Sequence, residues 1–290
     1  MRLPPFELDR WLNRHLNGET PIEFDLGSST GPHWTLRELL ALGAPAGFED
    51  LLNTKVLYSH ARGAGRLRRA VARIYGADPD HVQITTGAAE ALHILFFLAA
   101  EPGANVVLPS PVFPPAAALP EAFGLEIRSY RLQRERGFAL DLGEIAKLVD
   151  RNTRLLLVNT PHNPTGAVAS ASDLGALHAL AQERGARLVV DTVYDPIYHG
   201  GAPGPHIASQ PGTIILGDTS KALSLSGLRI GWIVDQDPAA QALYEDTRSY
   251  FTVSNSPLNE ILAALAVEQR EKIYQRARSA TRPNLALLDG

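Results

Sequence analysis

The chain of 290 residues contains no cysteine. That absence excludes disulfides, thiolate metal ligands and a cysteine nucleophile, and it leaves the redox compartment open. Long apolar runs are missing too, since none approaches the roughly 18 residues of a membrane-spanning helix. Near the N-terminus, Glu7, Asp9, Arg10 and Arg14 interrupt the stretch where a secretory signal needs an unbroken apolar core. These absences predict a cytoplasmic protein with no membrane partner. Charge of one sign is also scarce. With 27 Lys and Arg against 31 Asp and Glu, the formal net charge of −4 offers little to nucleic acid or to an anionic membrane. The local exception, Arg62, Arg66, Arg68, Arg69 and Arg73, shares a helical pattern with Leu67, Ala70, Val71 and Ile74. It reads as a solvated or interface face rather than a nucleic-acid patch. Internal repeats, low-complexity tracts and a clear linker are absent as well.

What is present is ordinary globular material, 45% hydrophobic and 20% charged, in a chain long enough for one large domain or two smaller ones. Helix and strand signals alternate. Gly65 to Tyr75 reads as an amphipathic helix stopped by Gly76, Val82 to Thr85 as a strand, and Ala88 to Ala100 as an apolar helix opened by Gly87. Further strands are expected at Asn105 to Leu108, Leu125 to Leu132, Arg154 to Val158, Arg187 to Val190, Thr213 to Leu216 and Ile230 to Val234. Helices are expected at Pro114 to Phe123, Asp141 to Val149, and Ser172 to Arg184 with Ser170 or Ser172 near its cap. Two long helical patterns, Pro238 to Tyr250 and Pro257 to Ala280, finish the chain. Short, continuously apolar strands between helices predict an α/β fold whose mostly parallel sheet is covered on both faces. The less regular segment up to about Tyr58 is expected outside the sheet.

The stretch Thr219 to Trp232 carries the most informative chemistry. Lys221 directly follows Ser220 and stands eight residues before Arg229, among small and apolar neighbours. Burial and a nearby cation both depress an ammonium pKa, which would free the amine to attack an aldehyde. A hydroxyl and a bidentate guanidinium beside it suit a phosphate monoester. An aldehyde and a phosphate on one small molecule describe pyridoxal phosphate. A lone Ser-Lys pair would equally be a solvated loop, so the remaining motifs matter. Thr85-Thr86-Gly87-Ala88-Ala89-Glu90 turns from strand to helix with small residues that leave backbone N–H groups open to an anion. Small residues are also common where a helix packs on a sheet. Phe113, in Pro109-Ser110-Pro111-Val112-Phe113-Pro114, could cover a flat ring or simply join the core. Asn159-Thr160-Pro161-His162-Asn163-Pro164-Thr165-Gly166 offers an amide to a phenolate oxygen, although its residues are also turn formers. His162 there reads as a local hydrogen-bonding residue. Asp191 ends an apolar strand and needs a cation such as a protonated pyridine nitrogen, unless it is a helix cap. Tyr194, three residues on, could bond a ring oxygen.

In this order the motifs resemble the class I/II aminotransferases, the fold-type I pyridoxal-phosphate enzymes, over roughly residues 20 to 288. The resemblance implies a seven-stranded-type sheet and a Schiff base (aldimine) between Lys221 and the cofactor. Lys221 would then shuttle a proton between the substrate α-carbon and cofactor C4′. It further implies that Asp191 pairs with the ring nitrogen, Asn163 and Tyr194 with the ring oxygen, and that Phe113 stacks on the ring. Ser220, Arg229 and the backbone at Gly87, Ala88 and Ala89 would hold the phosphate. Tyr58 matches a family tyrosine that reaches the phosphate of a neighbouring subunit, and Ser254 another cross-interface position, which together imply a homodimer. Cis bonds before Pro111 and Pro164 are also implied. The expected divisions are an N-terminal segment 1–57, a large cofactor domain 58–256, and a long helix 257–290 leading toward a smaller C-terminal domain of about 100 residues. The arginine that grips the substrate carboxylate is expected beyond Gly290.

The implied reaction is transfer of an amino group between an amino acid, or a related amine, and a 2-oxo acid. Phe24-Asp25-Leu26-Gly27-Ser28-Ser29-Thr30-Gly31-Pro32 departs from the family's substrate-contacting glycine segment and is similar to the opening of pyridoxal-phosphate amino-acid cyclases. A lyase or cyclase of the same fold therefore stays open. So does a non-catalytic cofactor-sensing domain of a transcription regulator, although the short N-terminal segment leaves no room for its usual DNA-binding helices.

Overall fold

The computed structural model describes residues 3–15, 22–25, 27–43, 46–196 and 210–289. Its centre is a sheet of seven strands, β1 (Val82–Thr85), β2 (Asn105–Ser110), β3 (Glu126–Arg131), β4 (Thr153–Asn159), β5 (Arg187–Asp191), β6 (Thr213–Asp218) and β7 (Gly231–Val234). They lie in the order β1-β7-β6-β5-β4-β2-β3. The five strands from β6 to β3 are mutually parallel, and β7 runs antiparallel to both β6 and β1. The β1 direction therefore matches that of β6. The end of β1, the ends of β2, β4, β5 and β6, and the start of β7 all open on one edge.

Side chains alternate across a strand with period two, so a sheet covered on both faces needs apolar residues at every position. In β4, Leu156 and Val158 enter one core with Leu188 and Val190 of β5, while Leu155 and Leu157 enter the other with Val189. The first core is closed by α4 (Gly65–Tyr75), α7 (Leu142–Leu148), α8 (Ala171–Arg184), α10 (Pro257–Glu268) and α11 (Arg270–Asp289). The second is closed by α5 (Gly87–Ala99), α6 (Pro114–Ala122) and α9 (Pro238–Phe251). Local signals set the boundaries. Gly76 stops α4 in the left-handed region at φ +62°, and Ser170 with Asp173 forms a reciprocal capping box at the start of α8.

The shorter helices α1 (Glu7–His15), α2 (Leu36–Ala41) and α3 (Ala46–Leu52) lie outside the sheet, as expected of the N-terminal segment. One expectation fails. The helix expected from Pro257 to Ala280 is two helices, broken at Gln269, where φ and ψ are −102° and 17°. Neither glycine nor proline marks the break. It falls where burial changes, because every residue from Leu262 to Val267 is buried, whereas the neighbouring turns of α11 bury Ile273, Tyr274 and Ala277.

The arginine cluster is a partly solvated face, with Arg66, Arg69 and Arg73 exposed, and several of its charges pair within the chain. Arg66 forks onto Glu268 at 3.0 and 2.7 Å, Arg68 pairs with Asp80 at 3.0 Å, and Arg62 reaches the Asp80 carbonyl. No helix among the described residues is long and apolar enough to cross a membrane.

Candidate active site

A cavity of about 400 Å³ opens at the edge where the strand ends gather, the usual ligand crevice of an open α/β sheet. Its lining includes Ala88, Ala89, Phe113, Asn163, Asp191, Tyr194, Ser220, Lys221 and Arg229, residues drawn from five separate strand-end segments.

At one end lies the first turn of α5, whose N–H groups have no intrahelical acceptor. Gly87 adopts φ +74°, and a Cβ there would stand 2.6 Å from Arg229 Nη2, so the guanidinium rests on the glycine. A Cβ on Gly231 would run into the backbone of Gly87 and Ala88, so only glycine lets β7 begin this close to α5. Arg229, itself left-handed at φ +52°, is thereby held over the helix start, with Nη1 donating to the Ser226 carbonyl at 3.2 Å. The Ser220 hydroxyl is buried beside it, against the Asp218 carboxyl.

At the other end Asp191 terminates β5. Its carboxyl accepts a backbone N–H from Val193 at 3.1 Å, and no ion pair to it is found among the described residues. Burial, with the negative charge of Asp218 nearby, pushes it up to about 7. Asn159 holds the Asn163 loop by accepting the Asn163 N–H at 2.7 Å while donating to the Asp191 carbonyl at 3.2 Å. His162 ties two site loops together through the Thr165 hydroxyl at 2.8 Å and the Pro111 carbonyl at 3.1 Å. The peptide bonds before Pro111 and Pro164 are cis, as are those before Pro161 and Pro196. Phe113 lines the cavity with its ring edge-on to Phe6, centroids 6.1 Å apart.

Lys221 stands between these ends. Burial lowers its ammonium pKa; Asp218 opposes that shift and Arg229 adds to it. Its Nζ donates to the Ser29 hydroxyl at 2.8 Å, and Ser29 also bonds Tyr194, whose phenol burial pushes up. A segment outside the sheet thus closes the cavity directly over the lysine.

Three expected residues lie outside the cavity lining, among them Gly87, which sits beneath the Arg229 guanidinium. Tyr58 is 88% exposed, and Ser254 is half-buried between α9 and α10. Of the lining residues that the sequence did not place in the site, three are polar groups beside the predicted ones, Asn159, Ser29 and Asp218. Asn159 opened a quoted motif and Ser29 lay within another, whereas Asp218, an acid closing an apolar strand three residues before Lys221, was the one readable signal passed over.

The residues present fit pyridoxal phosphate on chemical grounds. A buried carboxyl with no ion-pair partner among the described residues answers a cationic ring nitrogen, and an arginine with a buried hydroxyl at a helix N-terminus answers a phosphate. A sheet of this order, with this cavity on its carboxyl edge, is that of a fold-type I, pyridoxal-phosphate-dependent enzyme. Residues 46–282 match the family "Aminotransferase class I and II", and the chain belongs to that family. It is 34% identical over 288 residues to capreomycidine synthase of Streptomyces vinaceus, covering 97% of this chain and 72% of that protein. It spans 36–58% of the length of seven further curated relatives. A pyridoxal-phosphate-dependent aminotransferase of Streptococcus suis superposes with TM-score 0.92 at 29% identity, over the whole of this chain and 77% of its own. The pyridoxal-phosphate-dependent cyclase OrfR superposes with TM-score 0.88, also at 29% identity, over the whole chain and 75% of its own.

Proposed function

We propose that this chain carries the cofactor site of an aminotransferase that moves an amino group between an amino acid, or a related amine, and a 2-oxo acid. The observation that supports this most is the single cavity joining a lysine of lowered pKa, a buried aspartate with no ion-pair partner among the described residues and an arginine poised over a helix start. When bound, pyridoxal phosphate supplies an aldehyde that captures amines and an electron-poor ring that stores the electron pair released at the amino-acid α-carbon. Lys221 offers the neutral amine that would hold that aldehyde and, once displaced by substrate, would move the proton from the substrate α-carbon to the cofactor carbon C4′, as amino transfer requires. Asp191 keeps the ring nitrogen protonated. Asn163 and Tyr194 hydrogen-bond the ring oxygen, and Phe113 covers one face of the ring. Ser220, Arg229 and the N–H groups of Ala88 and Ala89 bind the phosphate. In this reading residues 58–256 are the cofactor domain, and residues 1–57 contribute the Ser29 lid.

The test is to add pyridoxal phosphate, reduce with borohydride, and locate the added mass by peptide mapping. The expected result is a single modified lysine at Lys221, with none in Lys221→Ala. Modification spread over surface lysines, equal in both proteins, would overturn the assignment. Likeness to capreomycidine synthase along 97% of the chain, and to the cyclase OrfR, favours a second reading, an amino-acid cyclase or lyase on the same site. An amino donor that converts the bound cofactor to its pyridoxamine form supports transfer, whereas product release with the aldehyde form intact supports the second.

A further inference from the structure

Asp218 has no part in the cofactor contacts proposed above, yet it occupies their most crowded point. It ends β6, three residues before Lys221, and lines the cavity together with Ala88, Ser220 and Arg229. Its Oδ1 accepts the Ser220 N–H at 2.8 Å, and the carboxyl also bonds the Ala88 N–H at the start of α5. A carboxyl therefore already sits on backbone donors that a phosphate would use. The two residues of α5 that line the cavity's end, 88 and 89, are both alanine and add no hydroxyl. A phosphate monoester entering this cup brings a second anion into contact with the first, and Arg229 is the cation the cup itself supplies.

Within the cavity Asp218 also faces Lys221, Asp191 and Tyr194. A smaller cavity of about 180 Å³ lies on its other side, where Tyr75 and Asp195 border it. Arg270, Glu271 and Tyr274 of α11 complete the titratable groups of that wall. Lys221 lowers the carboxyl pKa and Asp191 is a like charge, while burial is the largest influence and pushes it up. A carboxyl that gains a proton changes from acceptor to donor, which is what a phosphate oxygen requires. The second proton of a phosphate monoester leaves near pH 6, so the two acids titrate as a coupled pair.

Resting on the pyridoxal-phosphate reading above, we propose that Asp218 is a protonatable member of the phosphate cup. It holds a proton while the phosphate is bound and donates it to a phosphate oxygen. Cofactor binding then takes up a proton and weakens as pH rises. Asp218→Asn, a neutral donor of the same shape, should remove both effects.

The experiment is pyridoxal phosphate affinity by calorimetry at about pH 6 and about pH 8.5, in two buffers of different ionisation enthalpy, for the parent, Asp218→Asn and Asp218→Ser. One pKa unit of coupling corresponds to about tenfold in affinity. The variants should bind about tenfold or more tightly than the parent at the higher pH, and by a smaller margin at the lower. The parent should also take up more protons on binding. Pyridoxal, which lacks the phosphate, should gain much less than pyridoxal phosphate, its gain being limited to the freer Lys221 amine once the Asp218 charge is removed. Equal affinity ratios and equal proton uptake at both pH values would overturn the role of Asp218 and leave the cofactor site standing. Equal loss of pyridoxal and pyridoxal phosphate binding in both variants would make Asp218 a structural residue and also overturn it. If the parent and variants all fail to bind pyridoxal phosphate, the cofactor reading itself falls, and this proposal with it.

Discussion

Asp191 shows how a single buried group links stability to function. Its carboxyl titrates at about 7 in the folded protein, against about 3.9 for an unfolded aspartate. The folded state therefore binds more protons between these values, and stability falls as pH rises from about 4 to about 7. Above that range the full cost of the buried charge remains. Asp191→Asn keeps an acceptor for the Val193 N–H and removes the charge. The cofactor-free variant should melt several degrees above the parent at pH 8 and at nearly the same temperature near pH 4, since each kcal/mol is worth roughly 2–4 °C in a domain of about this size. Equal melting at both pH values would show that the carboxylate has a stabilising partner. With the cofactor bound the order should reverse, because only the aspartate can pair with a cationic nitrogen. Sequence reasoning reached this residue because a carboxylate at the end of an apolar strand is costly without a partner. It could not reach Ser29, because nothing local indicates that a segment 192 residues from Lys221 folds over it.

At the scale of elements, the start of α5 is held from behind by a buried hub. Arg248 of α9 is fully buried and donates to Glu90 at 3.5 Å, to the Ala61 carbonyl and to Asn255. Glu90 in turn accepts the Thr86 N–H ahead of α5 and the Thr252 hydroxyl. Beside this hub Glu260 of α10 accepts from Ser59 and from the Ala64 N–H, which pins the segment that follows Tyr58. Breaking a buried pair by removing one partner strands the other charge, typically at a cost of about 3–5 kcal/mol. Arg248→Met should therefore lower the urea midpoint by an amount equivalent to about 3 kcal/mol, with little change in the denaturant slope. A loss below about 1 kcal/mol would show that Glu90 and Asn255 find other partners. From α4 to the start of α10, strand and helix spans were readable to within two residues, because apolar runs, caps and glycine stops are local signals, whereas α1, α2 and α3 were not read. The break at Gln269 was not, since it depends on what α10 and α11 pack against.

For the whole molecule, the exposed apolar residues are unevenly placed. Val56, Leu57 and Tyr58 lead into the segment that Arg248 joins to α9, and at the end of α9 Tyr250, Phe251 and Val253 are exposed as well. We propose that this surface meets a second copy and carries Tyr58 to the neighbour's phosphate. Sedimentation should then give twice the 31.3 kDa chain mass. The double substitution Leu57→Glu, Tyr250→Glu should yield monomers that bind pyridoxal phosphate more weakly. Monomers with undiminished affinity would rule out a shared site.

The chemistry was determined by sequence alone to the extent that it resides in residue type and short spacing. Lys221 beside Ser220 and before Arg229, Asp191 with Tyr194, and Asn163 among its prolines were all visible as a linear order. The alternation of apolar strands and helices likewise determined a covered, mostly parallel sheet, because strand periodicity and capping act over a few residues. What tertiary structure alone decided is which of these distant groups share a cavity. Reversal of β7 brings Arg229 and Gly231 to the edge where β1 and β6 end, so the arginine lands on Gly87. The same packing sets Asp218 on the donors of α5 and closes Ser29 over Lys221. Such contacts depend on backbones meeting at close range across the fold, and no local pattern encodes that distance.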